Sequence, residues 1–294
     1  MGRKEIILKH IQRDGAGLEI GPSHSPVAPK SEGYNVHVVD HADKASLIEK
    51  YRPHGVAVER IEDVDFIWRG ESYAELTGKT GYYDWIIASH VVEHAPDFIS
   101  FINNCAEVLK EDGVLSLAIP DARFCFDCFR PLTGISKVID AHAQKMTTHS
   151  LGTVVECLSR SSRKKNKITW GYGKASGNFD LVHSFDEIQN AIKANNITDE
   201  YSDFHAWCFT PNSFRLLMHD LNMLGLITMK EVSFCPTRGC EFYIALSRKG
   251  AGPDISRLKL MQKIDDELRV DTSFFRLLKL KAEHWIAHIR QKLA

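Results

Sequence analysis

Apolar and polar positions along the chain follow two rhythms. Short stretches are apolar almost throughout, and longer stretches carry apolar residues every third or fourth position. Residues 17–20 form the first short stretch, which ends at the turn Gly21-Pro22. Residues 34–40 form the second and end in Asp40. Residues 43–51 read as a helix broken by Pro53-His54-Gly55, and Val56-Ala57-Val58 reads as a third strand. Residues 84–89 are an uninterrupted run of the kind buried on both faces. The next helix is predicted to carry Pro96 in its first turn, Asp97 at the positive end of its dipole, and the stripe Phe98, Ile102, Cys105 and Leu109. Gly113 is its predicted stop, and residues 114–119 form a fifth strand closed by Pro120-Asp121.

Residues 122–205 break the rhythm. They are rich in Ser, Lys, Asn, His and Gly and read as a lid-like insertion with long loops and one helix over residues 186–195. Regular structure resumes with Thr210 as N-cap and Pro211 in the first turn. Phe214, Leu217, Met218, Leu221 and Leu224 make the buried stripe, and Gly225 ends the helix. Residues 226–234 and 241–248 are two strands whose connection is too short for a crossover helix, so they are antiparallel. The expected fold is α/β: a Rossmann-like, doubly wound sheet, mostly parallel, with a C-terminal antiparallel strand. One domain over residues 1–250 is expected, with a helical, basic, amphipathic tail over residues 251–294.

Composition changes this picture little. With 294 residues and 44% of them hydrophobic, the chain can bury a core, which excludes disorder as its main state. A net charge of −1 argues against a protein that coats nucleic acid, although the run of residues 160–167 and the tail are locally basic. The run reads as a solvated loop. The tail reads as a packing or dimerisation helix, with a peripheral membrane contact as the alternative. No targeting segment is evident near Met1, so a cytoplasmic location is expected. Seven cysteines in such a chain read as reduced thiols. Cys125 and Cys128 form one C-x-x-C, too little for a zinc site, and no metal is expected.

Chemistry concentrates after the first two strands. A loop that approaches a ligand closely needs small residues, and Gly21, Pro22, Ser23 and Ser25 supply them. Asp40 suits a ribose diol, because a carboxylate accepts two hydrogen bonds. Glu19, on the strand itself, suits a cationic ligand, and the dinucleotide fingerprint G-x-G-x-x-G is absent. Glu19-x-Gly21, Asp40, residues 84–94 and residues 109–115 resemble successive motifs of class I S-adenosylmethionine-dependent methyltransferases, with Ser23 and Ser25 where that family usually has glycines. The terminal antiparallel hairpin is similar to the last two strands of that fold. The resemblance implies S-adenosylmethionine as cofactor, held by Glu19, Gly21, Pro22, Ser23, Asp40, Ser89 and His90. It also implies Asp65 on the adenine amino group, with Asp63 as competitor.

Residues 89–97, the stretch Pro120-Asp121-Ala122-Arg123 with Phe126-Asp127, and residues 203–211 resemble a narrower bacterial subgroup encoded among surface-polysaccharide genes. That implies a sugar, or a phosphate-bearing glycan, free or lipid-linked, as acceptor. His94, Asp121 and His205 are the candidate catalytic residues, each near the cofactor edge. Arg123, Asp127 and Arg130 are candidate substrate-binding residues, the arginines because a guanidinium grips an anion in bidentate fashion. A non-catalytic binding protein of the same fold, a methyltransferase for another small molecule, and a dinucleotide-dependent oxidoreductase are the alternatives.

Overall fold

The computed structural model describes residues 1–193 and 203–270. The main sheet contains β1 (Gly17–Ile20), β2 (Val36–Asp40), β3 (Phe66–Ile67), β4 (Tyr83–Ser89) and β5 (Leu109–Pro120). Its last two strands are the C-terminal pair; the small sheet between, β6 (Ser162–Lys164), β7 (Lys167–Ile168) and β8 (Asp180–Leu181), is separate. That pair is β9 (Lys230–Arg238) and β10 (Glu241–Ser247), and the strand order is β3-β2-β1-β4-β5-β10-β9. β10 runs antiparallel to both of its neighbours and the other pairings are parallel. This is the expected mostly parallel, doubly wound sheet. Order reverses between β1 and β4, which opens a crevice at their carboxyl ends.

Side chains alternate across the central strands, as a two-residue period demands. Ile86 and Ala88 of β4 face one core with Leu115, Leu117 and Phe242. Trp85 and Ile87 face the other with Ala118 and Tyr243. The first face is covered by α3 (Tyr73–Thr77), α4 (Phe98–Val108), α5 (Ile135–Ala143) and α8 (Pro211–Met223), whose buried residues belong to the larger core. The second is closed by α1 (Arg3–Ile7), through Ile6 and Ile7, and by the loop residues Val27 and Ala28. Gly17 makes one close approach possible: a Cβ there would stand 2.0 Å from the indole of Trp85.

Four local expectations are corrected. Val58–Arg60 is a 3-10 turn, and the third strand is Phe66–Ile67, because Val39 and Asp40 pair with Phe66 and Ile67. α4 ends at Val108 rather than near Asp112, since Leu109 pairs with Tyr83 and draws the chain into β5. Asp97 is its N-cap, accepting from the Ser100 N–H, so Pro96 lies outside the helix. Leu224 is exposed because α8 ends at Met223, although the rest of its stripe is buried.

The insertion holds more regular structure than its composition suggested. It contains α5, α6 (Leu151–Arg160), the small sheet β6–β8 and α7 (Phe185–Lys193). The basic run forms a hairpin rather than an irregular loop, with Arg160, the turn residues Lys165 and Asn166, and Lys167 exposed. Ser161 and Ser162 are buried, and the Lys164 ammonium donates to the carbonyls of Ser176 and Gly177. The start of the tail is α9 (Arg257–Val270), which lies against α8. Arg257 pairs with Asp220, and Asn212 donates to Glu267. The apolar and basic positions beyond residue 270 lie outside the described residues. No helix among the described residues is long and apolar enough to cross a membrane.

Candidate functional site

The crevice at the switch point is a cavity of about 930 Å³. Its walls are the carboxyl ends of β1, β2 and β4, where small and acidic residues follow each strand. Glu19, Gly21, Pro22, Ser23, Asp40, Ser89, His90 and His94 all line it. Gly21 takes φ +62°, a conformation natural to glycine, and a Cβ there would stand 3.0 Å from Val91. Asp40 is buried. One oxygen accepts from the Ser23 N–H at 3.0 Å and the other from the His41 N–H at 2.8 Å. Trp68, Tyr73 and Phe101 add aromatic walls.

Glu19 has a different part from the one its sequence position suggests. Its two oxygens accept from the N–H groups of Val27 and Ala28, at 2.6 and 3.1 Å. It thus ties down the loop after β1 instead of turning its hydrogen-bonding capacity to a cation. Burial pushes its carboxyl up to about 7, against the lowering by those two bonds. The sign of the consequence is definite. Between its ordinary value of 4.5 and about 7, the folded chain holds a proton that the unfolded chain has released. Stability from this residue therefore falls as pH rises through that window, at up to about 1.4 kcal/mol per unit. Thermal melts of the wild type and Glu19→Gln should show the wild type losing ground to the variant from pH 5 to 7; a constant difference would refute this.

Asp65 does not line the cavity. It immediately precedes β3, and its carboxylate accepts from the Val38 N–H and the Lys30 ammonium, both at 2.6 Å. With β3 shifted, Trp68 stands beyond it on the cavity wall. Asp63 pairs with Lys44.

A second cavity of about 370 Å³ adjoins the first and shares His90, His94, Trp170 and Asp203 with it. Phe126, Ile168, Phe204 and His205 complete much of its wall. The insertion supplies most of these residues. His205 is buried, and its Nδ1 makes a short hydrogen bond with Asp127. Asp127 in turn accepts from Arg130 at 2.8 Å. Burial alone would raise the Asp127 carboxyl, yet His205 and Arg130 together hold it down to about 2. Burial alone would lower His94, but the Asp203 carboxylate 3.0 Å from its Nδ1 and the negative charges of Glu93 and Asp127 raise it above its ordinary value. His90 Nε2 donates to the Glu241 carboxylate at 2.8 Å, and Arg3 donates to the same carboxylate at 2.7 Å.

Three candidates are engaged elsewhere. Asp121 is fully buried; it accepts from the backbone and guanidinium of Arg123 and from the Thr237 hydroxyl. Arg123 is thus folded back on Asp121 and also donates to the Glu267 carbonyl. Arg130 is buried against Asp127, Glu156 and the His205 carbonyl. Neither arginine lines either of these two cavities. Asp127 reaches the site only through His205. All seven cysteines are unbridged, and Cys125 and Cys128 are buried.

Several residues on or just behind the cavity walls carry no sequence signal strong enough to single them out. Glu93 lies within the motif of residues 89–97 between two histidines, but its burial is a tertiary fact. Trp170 and Asp203 come from the weakly patterned insertion. In the sequence Asp97 is legible only as a helix-start acid. Its carboxylate also meets His142 of α5 at 2.9 Å and lines the larger cavity.

Comparison with known proteins adds the family. The family described as Methyltransferase domain matches residues 4–222. Comparison with curated proteins returns no match. Among solved structures, a SAM-dependent methyltransferase from Aquifex aeolicus is 11% identical over 83% of this chain and 88% of its own, with a TM-score of 0.40. One from Methanosarcina mazei is 15% identical over 82% and 95%, also at 0.40. A Rhodobacter sphaeroides protein described as a Zn-dependent alcohol dehydrogenase is 12% identical over 84% and 89%, at 0.44. These distant likenesses add no weight to the assignment. The cavity is of nucleoside-ligand size. Gly21 brings backbone close to it, Asp40 offers a carboxylate at the end of β2, and three aromatic rings flank it, so the residues present fit the family's cofactor. The matched span, the sheet order and this cavity agree: the chain belongs to the methyltransferase-domain family and is a class I S-adenosylmethionine-dependent methyltransferase.

Proposed function

We propose that this methyltransferase acts on a hydroxyl of a surface-polysaccharide sugar or its precursor. The observation that carries the reading is the smaller cavity, which shares four wall residues with the cofactor cavity. Its wall combines aromatic rings (Phe126, Trp170, Phe204) with imidazoles and the Asp203 carboxylate. Rings pack against the apolar faces of a sugar, and carboxylates accept from its hydroxyls. A phosphate acceptor is less well served, because Arg123 and Arg130 are both committed to internal carboxylates.

S-adenosylmethionine, when bound, supplies an activated methyl carbon for in-line displacement. The chain aligns the acceptor and excludes water. Asp40 and the loop after β1 hold the cofactor side. His205, oriented by Asp127, stands with Glu93 and His94 on the acceptor side, where the hydroxyl proton must be handled.

Asp40→Ala should weaken cofactor affinity by about 1–3 kcal/mol, through the lost acceptor and the loosened Ser23 loop. Calorimetry with unchanged affinity would remove Asp40 from the cofactor site. The acceptor is tested by incubating the protein and labelled S-adenosylmethionine with surface polysaccharide and its precursors. Label in an ether linkage on a sugar is expected. Label confined to a non-glycan small molecule would overturn the reading.

A further inference from the structure

Glu93 is an anomaly: it lines neither cavity and lies between His90 and His94 in sequence, the two histidines that both cavities share. It is 1% exposed, and neither carboxylate oxygen has a hydrogen-bond partner. Three imidazole nitrogens surround it, His90 Nδ1 at 3.7 Å, His94 Nε2 at 3.9 Å and His205 Nε2 at 4.0 Å, all beyond hydrogen-bonding distance. A buried carboxylate left in this way is costly unless a cation or a proton meets it.

The histidines around it are arranged in a particular way. His94 turns Nδ1 toward Asp203 at 3.0 Å, and His205 turns Nδ1 toward Asp127, which Arg130 fixes in place. For His205, a proton on Nδ1 shared with Asp127 leaves Nε2 as a lone-pair donor and holds the ring in orientation, while His94 faces Asp203 as an ion pair only. Both Nε2 atoms lie on the Glu93 side of their rings. One ligand atom each from Glu93, His94 and His205 falls within 4.8 Å of the others. Tetrahedral binding with bonds of 2.0–2.1 Å needs about 3.4 Å between ligand atoms, a contraction that small side-chain rotations supply.

We propose that Glu93, His94 and His205 bind a divalent transition metal of the zinc class, with a fourth position directed toward the smaller cavity. Two imidazoles and one carboxylate suit such an ion better than calcium or magnesium, which prefer all-oxygen shells. Asp127 and Asp203 act as the outer carboxylates that orient the two imidazoles. Three protein ligands and one open position are the arrangement of a site that works on a bound oxygen. The metal's role toward the acceptor hydroxyl rests on the function proposed above; its binding does not.

The test uses the full chain, stripped with chelator and titrated with Co²⁺ in the absence of acceptor. Visible d–d bands of four-coordinate Co²⁺, saturating at about one ion per chain and displaced by Zn²⁺, are expected. Glu93→Gln and His205→Gln should each weaken Zn²⁺ binding by at least about 100-fold in competition with a chromophoric chelator. S-adenosylhomocysteine binding verifies that each variant is folded. Should a buried variant fail to fold, the more exposed His94→Gln provides the same comparison. No Co²⁺ bands, or Zn²⁺ affinity unchanged in the folded variants, would overturn the site and leave a protonated imidazole as the partner of Glu93. Because no acceptor is present, failure here and failure of the glycan assay are separate results.

Discussion

His205→Gln is expected to slow methyl transfer by about 10²–10⁴-fold while leaving S-adenosylhomocysteine affinity unchanged. The split follows from position. His205 lines the smaller cavity and is absent from the wall of the larger one. Its ring is pinned by Asp127, and its other nitrogen faces Glu93 at 4.0 Å. A glutamine amide can still donate to Asp127 but presents no imidazole nitrogen on the Glu93 side, either to take a proton or to hold a metal. The loss should appear in kcat at saturating cofactor, with calorimetry on the product reporting an intact cofactor cavity. A variant that retains wild-type kcat would remove His205 from the chemistry. A variant whose cofactor affinity falls in step with its rate would make its role structural.

Asp121→Ala is expected to lower folding stability by about 3–5 kcal/mol, the cost of stripping a buried cation of its carboxylate. Asp121 is fully buried. It receives the Arg123 guanidinium on both oxygens, at 2.9 and 2.5 Å, and the Thr237 hydroxyl at 2.5 Å. Arg123 is itself only 7% exposed. The triad joins the end of β5 to the β9–β10 hairpin, so its loss should be felt across that edge of the sheet. Urea unfolding should show a lower midpoint with an unchanged slope. Transfer by the folded fraction should persist at the wild-type rate. A stable variant with abolished transfer would restore Asp121 as a catalytic residue.

The two aspartates show where sequence reading stops. Asp121 and Arg123 are two residues apart, and Asp127 and Arg130 three, so both pairs are visible in the primary structure. Their burial is not. It is imposed by Thr237, Glu267 and His205, from segments some 75 to 145 positions away. An arginine two residues from an aspartate can hold an anionic substrate or fold back on its neighbour. Only the surrounding packing chooses, by excluding the solvent that would screen the pair. The same holds for Glu19, whose place on β1 is evident but whose partners come from the loop at Val27 and Ala28. The misplaced third strand has a related cause. β3 is two residues long and exists because β2 offers it an edge at Val39 and Asp40, which no local propensity reports.

The chain's own pattern determined the alternation of strands and helices, the terminal antiparallel pair, and the small and acidic residues at the ends of β1, β2 and β4. Those features depend on burial periodicity and turn chemistry, which are local. Tertiary structure decided which polar groups face the cavities and which are consumed inside the protein. It brought Glu93, His94 and His205 together from segments over a hundred residues apart. The cost of burying a charge depends on every neighbour that displaces water from it, and those neighbours are set by the fold as a whole.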